Sequence, residues 1–260
     1  METAPSYRNN AIWAGIFFII ATAFLFIGEA FYGPALSDPE VLSRAAAAEN
    51  DIALGVLIEF ACVLAIPLIA VALYPVLRRV SATLAIGYVA FRLFEAAVFF
   101  QMEVDKLQVL AISREFAASP TANTDQLDIL IRSLTGGEAW SGTSGSLYNI
   151  VFVTGMLMLN WMLWKSRLVP RWIAGWGMVS AVTLGGLAIF VLFLEVSNGL
   201  AIALIAPLAV QEMVLALWFI FKGFDRAALD RLEPHLGEAT TVSPDAPVDQ
   251  ALATSGMSQK

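Results

Sequence analysis

Apolar residues along this chain come in continuous blocks and not in alternation. The blocks run approximately from Ala11 to Phe31, Leu54 to Val76, Thr83 to Val104, Ser146 to Lys165, Trp172 to Leu194 and Gly199 to Phe221. Each is about 20 residues long, enough at about 1.5 Å per helical residue to cross the roughly 30 Å hydrocarbon layer of a bilayer. Backbone groups in lipid must be satisfied within their own segment, and continuous blocks lack the two-residue period of a barrel strand. The pattern predicts an all-α fold, a polytopic membrane helix bundle with six transmembrane helices.

The segments between blocks carry helix signals of their own. Ser37 and Glu40 have the spacing of a capping box and lead into the Ala-rich stretch Val41 to Asn50, which predicts a short outer amphipathic helix. Further on, Asn123 caps a second such helix, with Leu127, Leu130, Ile131 and Leu134 on one face and Gly136 and Gly137 as its stop. It is expected to act as an amphipathic connector, with a lid over a central cavity as the functional alternative. The third block continues as an amphipathic helix, with Val104, Leu107 and Ala111 on the apolar side and Glu103, Asp105, Lys106 and Gln108 on the other. The first block is expected to be a retained helix and not a secretory signal, because it is long, lacks a small-x-small site and carries Glu29 ahead of Gly33 and Pro34. Beyond Gly223 the composition turns polar, so the chain divides into a transmembrane domain over residues 1–224 and a tail over 225–260, with disorder expected from about Gly237.

Composition agrees with the block pattern: 58% of residues are hydrophobic and only 14% charged, against about a quarter charged in soluble domains. The few cations are unevenly spread. Arg8, Arg78, Arg79, Lys165, Arg167, Arg171, Lys222, Arg226 and Arg231 fall in one set of connecting segments, and Arg44, Lys106, Arg114 and Arg132 in the other. The positive-inside rule then places both termini in the cytoplasm of a cell (inner or plasma) membrane. Trp13, Trp161, Trp164, Trp172 and Trp218 lie near the same boundary, where indole rings anchor at the interface.

Charges within the blocks are the candidate chemistry. Glu59 belongs to the second block, Arg92 and Glu95 to the third, and Glu212 to the sixth, with Gln211 beside it. A charge at that depth costs at least about 3 kcal/mol, so these side chains should face the bundle interior. Arg92 and Glu95 share a helix face. Counted by helical rise from the block ends, Arg92 lies roughly 16 Å deep and Glu95 roughly 21 Å deep. Glu59 comes close to the level of Glu95, and Glu212 to that of Arg92, which predicts one buried polar network of Glu59, Arg92, Glu95, Gln211 and Glu212. Three carboxylates then face one guanidinium, so at least one is expected to be protonated or hydrated. Such a carboxylate can bind and release a proton or hold a cation, as in transporters, whereas a fully paired set would only fix helix register. Pro67 and Pro207 can open backbone carbonyls toward this patch, while Glu29 and Glu195 lie near helix ends within reach of water.

Other chemistries find less support. Gly142-Thr143-Ser144-Gly145 matches the GxSG of rhomboid proteases, but the lone histidine, His235, lies in the tail on the opposite side of the membrane from Ser144. A single histidine also fits neither a HExxH zinc site nor bis-histidine haem, and there is no P-loop or dinucleotide fingerprint. No catalytic residues, metal or cofactor are therefore assigned. A net charge of −7 speaks against a nucleic-acid partner and leaves the lipid bilayer and a small molecule or ion as the expected contacts. Cys62, within the second block, reads as a small buried hydrophobe, and Gly177, Ala181 and Gly185 as a close-packing stripe of the fifth helix.

Three runs carry a family resemblance: Arg92-Leu93-Phe94-Glu95-Ala96, Ser166-Arg167-Leu168-Val169-Pro170-Arg171-Trp172, and Gln211-Glu212 followed by Leu217-Trp218-Phe219-Ile220-Phe221-Lys222-Gly223-Phe224. In these the chain resembles the bacterial integral membrane proteins grouped as domain-of-unknown-function family 4386, over about Arg8 to Phe224. The resemblance implies a compact multi-span bundle with a polar set at Glu59, Arg92, Glu95 and Glu212, and it implies no activity. Function rests on the residues: small-solute or ion transport leads, a structural or sensory membrane component is the alternative, and an intramembrane enzyme ranks third.

Overall fold

A computed structural model describes residues 7–38, 40–118, 124–135, 143–194 and 196–232. Among these, every regular element is an α-helix: α1 (Arg8–Leu36), α2 (Val41–Ala47), α3 (Glu49–Val80), α4 (Ala82–Ala118), α5 (Thr124–Thr135), α6 (Thr143–Ser166), α7 (Arg171–Val191), α8 (Asn198–Phe221) and α9 (Arg226–Leu232). Six of them, α1, α3, α4, α6, α7 and α8, are long and apolar enough to cross a membrane. The protein is an all-α, multi-pass membrane bundle.

The breaks between spans have local causes. Ser81 is extended (φ −162°, ψ 113°) and separates α3 from α4, and its Oγ accepts the Leu84 amide at 3.3 Å in place of a helical carbonyl. Arg167 adopts a left-handed φ of 61° after α6, and Pro170 then precedes α7. Asp225 caps α9 by accepting the Ala228 amide at 2.8 Å, and Ala228 is fully buried.

The spans form a ring in chain order: α1 packs on α3, α3 on α4, α4 on α6, α6 on α7, α7 on α8, and α8 back on α1. Glycines set the closest crossings. A Cβ on Gly28 of α1 would stand 2.7 Å from the Gly55 carbonyl of α3, and one on Gly15 would stand 2.6 Å from the Ala216 carbonyl of α8. In lipid, where apolar burial drives helix association weakly, such backbone approach supplies the packing. Gly177, Ala181 and Gly185 serve the same purpose on α7: Gly177 backs onto Asn160 and Gly185 onto Val153, both of α6.

The end of the ring that carries Arg8 and Phe221, here the terminal end, is filled by one apolar cluster that includes Phe18, Leu73, Tyr88, Leu159 and Phe219. Arg8 closes it by donating to the carbonyls of Phe219 (3.1 Å) and Ile220 at the C-terminus of α8. At the far end a third cluster joins Val41 and Ala45 of α2 and Ile131 of α5 to Ile52, Val109 and Leu110 of α3 and α4.

Helix bounds depart from the apolar blocks at this far end. α3 starts at Glu49 and not Leu54, because Glu49 and Asp51 suit a helix N-terminus and Glu49 also pairs with Arg114 of α4 at 2.8 Å. The outer helix α2 accordingly ends at Ala47. The α4 extension also departs from expectation on its polar side: Glu103 is 2% exposed, while Gln108 is exposed along with Leu107. The cap at Asn123, the Gly136–Gly137 stop, Glu195 and the tail beyond Leu232 lie outside the described residues.

Candidate functional site

α4 supplies the centre of the site. Arg92 and Glu95 lie one turn apart, 2% and 1% exposed, with Arg92 Nη1 2.9 Å from Glu95 Oε2. Arg92 Nε donates to the carbonyl of Ile66, next to Pro67 of α3, at 3.4 Å, and the guanidinium lies 5.9 Å from the centre of the Phe152 ring of α6. Tyr148 of α6 hydrogen-bonds the Glu95 carboxyl. The central ion pair is close but misaligned, so neither Arg92 Nη1 nor Glu95 Oε2 completes a hydrogen bond. Buried polar groups normally have partners, and this pair lies in the wall of a cavity.

That cavity has a volume of about 710 Å³. Arg92 and Glu95 line it from α4, Cys62 and Ile66 from α3, Tyr148 and Phe152 from α6, Thr22, Phe26 and Glu29 from α1, and Ile202, Ile205 and Glu212 from α8. Thr22 Oγ1 donates to Glu212 Oε2 at 3.4 Å across the α1–α8 seam. Toward the terminal end this seam is tight at Gly15; beyond Thr22 residues of both helices line the cavity. Phe26, Ile202 and Val210 among them are 55%, 65% and 51% exposed. The cavity therefore opens sideways, through a wall made of two membrane-spanning helices.

Glu59 is not joined to Arg92. It lies fully buried in a second cluster, where Lys106 of α4 ion-pairs with both Glu59 and Glu103, the latter at 2.6 Å, and Tyr32 of α1 donates to Glu59 at 2.8 Å. The Lys106 ammonium also lies 4.4 Å from the Tyr32 ring centre. Gln211 is in a third place: its amide donates to the Ile173 carbonyl of α7 at 3.2 Å and meets Asn160 Oδ1 of α6 at 3.5 Å. The single network expected from depth is thus divided, with Arg92, Glu95 and Glu212 on one cavity and Glu59 and Gln211 in separate contacts.

Lys106, Glu103, Tyr32, Tyr148 and Thr22 were not among the expected site residues. A signal for two of them exists in the sequence. Arg92, Glu95, Phe99, Glu103 and Lys106 follow one another at steps of three and four, a single helical stripe, so the buried face of α4 continues to Lys106. Of the remaining candidates, Cys62 is a buried free thiol in the cavity wall. Glu29 is exposed near the cavity mouth. Among the described residues none of α5 lines the cavity, and Ile131 packs against α2 and α4. The side chain of Ser144 and the whole of His235 lie outside the described residues.

Residues 13–223 match the family model described as Domain of unknown function (DUF4386). No curated protein and no solved structure matches the chain.

Proposed function

This chain belongs to the DUF4386 family, whose description assigns no activity, and we propose from its own geometry that it is a carrier. In this reading the protein moves a small solute or ion across the membrane, with Arg92, Glu95 and Glu212 as the polar floor of its binding cavity. One observation carries it: a cavity of about 710 Å³ opens from the centre of the ring onto buried ionisable groups whose hydrogen-bonding capacity is incomplete. A bundle that used charge only to fix packing would have no need of the space.

The membrane is taken to be the cell (inner or plasma) membrane, with the terminal end in the cytoplasm. Supporting this, Arg167, Arg171, Lys222, Arg226 and Arg231 surround a depression of about 880 Å³ at that end, beside a single carboxylate, Asp225. Residues 1–224 are assigned to the transmembrane domain and 225–260 to a cytoplasmic tail, whose first part forms α9.

A structural role is favoured for the second cluster alone. Lys106 contacts both Glu59 and Glu103, and Tyr32 completes the set, an arrangement that holds α1, α3 and α4 in register.

The carrier reading is tested in proteoliposomes loaded with a pH-sensitive dye and given a pH step. Proton entry above that of protein-free vesicles is expected, falling at least about tenfold in Glu212→Gln. Its melting temperature should stay near that of the parent. No proton entry in the parent, together with unfolding of the variant, would favour a packing role for the whole set.

A further inference from the structure

The shape, walls and charge of the cavity define a ligand class. We infer that the site takes a lipophilic cation, an amphiphile with an ammonium-type or phosphonium-type head, and that the ligand enters from the bilayer between α1 and α8. This assignment rests on the carrier reading for its purpose, though binding can be measured without transport.

The mouth indicates the phase from which the ligand comes. It is bounded by Phe26 on α1 and by Ile202, Ala206 and Val210 on α8, all on membrane-spanning helices and, Ala206 included, all exposed. A solute arriving through this gap leaves acyl chains and not water, so it must itself be largely apolar. The terminal end is filled by the packed cluster around Phe18, Leu73 and Phe219.

The inner wall indicates the sign of the head. Two carboxyl groups, Glu95 and Glu212, line the inner wall beside one guanidinium, and that guanidinium is already ion-paired with Glu95. An anionic head would meet this acidic excess, whereas a cationic one offsets it. Glu212, half-buried in the wall, accepts one long hydrogen bond from Thr22 at 3.4 Å, so an acceptor remains available there.

Aromatic rings surround the same point. Phe99, Tyr148 and Phe152 follow one another along the wall, the first pair tilted by 40° with ring centres 5.6 Å apart and the second stacked at 6.2 Å. Arg92 lies over one end of this stack and Lys106 lies 5.8 Å from the Phe99 centre, so these faces already receive cations within the protein. Ring faces beside carboxylates are the general means of holding a charged head too bulky to accept several hydrogen bonds.

The test uses the full chain in lipid nanodiscs and two radiolabelled ions of nearly equal shape and opposite charge, tetraphenylphosphonium and tetraphenylborate. Saturable phosphonium binding above that of protein-free discs is expected, with no saturable borate component. Glu212→Gln should weaken the phosphonium at least about tenfold. Ala206→Trp, which narrows the mouth without removing a charge, should slow phosphonium association while leaving the melting temperature in place. Equal or stronger borate binding, or no saturable binding of either ion to the unaltered protein, would overturn the cation assignment. An unchanged association rate in Ala206→Trp would overturn lateral entry. Phosphonium binding without proton flux would remove the carrier reading and leave the ligand class standing; flux without phosphonium binding would do the reverse.

Discussion

Two charged clusters share α4 and are finished in different ways. Around Lys106, the two buried carboxylates of Glu59 and Glu103 both reach the ammonium, a tyrosine donates to one of them, and a ring covers the cation. Around Arg92, one ion pair is close but poorly aligned, and Glu212 finds a threonine hydroxyl at 3.4 Å. Both sets are buried, Arg92 and Glu95 more deeply than Lys106, and each leaves one carboxylate oxygen without a hydrogen bond, on Glu103 and on Glu95. Buried charge alone therefore does not distinguish them. What separates the two is that the second set borders a cavity, where Glu212 is half-buried.

Lys106→Met should separate the clusters most sharply. It leaves Glu59 and Glu103 buried without their cation, a change that costs about 3–5 kcal/mol. Thermal unfolding in detergent is expected to show a large loss, with Lys106→Arg milder. Little change would mean that the cluster is not a clamp. A smaller effect is expected from Gly28→Ala, whose new Cβ would fall 2.4 Å from Glu59 Cγ and 2.7 Å from the Gly55 carbonyl. Overpacking of this kind costs about 1–3 kcal/mol, and because a backbone atom is involved the α1–α3 crossing must shift. The same melting assay reads it, and a neutral result would place the crossing elsewhere. Smallest of all should be Glu212→Gln, which keeps the shape and an acceptor for Thr22 and should alter stability by less than about 1 kcal/mol. A loss as large as that of Lys106→Met would erase the distinction between the clusters.

The spans were legible because length and apolarity in lipid leave the chain few alternatives. Depth counting also brought Arg92 and Glu212 to one level, and they line one cavity. Helical rise gives height but not direction around the axis. Gln211 follows Glu212's helix one residue earlier, about 100° away, and so turns to Asn160 and Ile173. Glu59 is expected beside Arg92 because Lys106, on the polar side of the helical continuation of the third block, counts with the charges outside the membrane. α4 does continue, to Ala118, but part of that polar side is buried, and the lysine's long stem reaches back to a carboxylate on α3. Nor could the sequence reveal the gap between α1 and α8, since a cavity is a failure of two helices to meet and leaves no residue pattern.

Arg8 gives the ring an order of assembly. Its guanidinium holds carbonyls at the end of α8, more than two hundred residues later in the chain. Synthesis runs from the N-terminus, and the first span is finished long before those carbonyls exist. Until the last span is inserted, α1 has no partner on that side and the cavity lacks its fifth wall. The seam that faces lipid is thus the last joint to form.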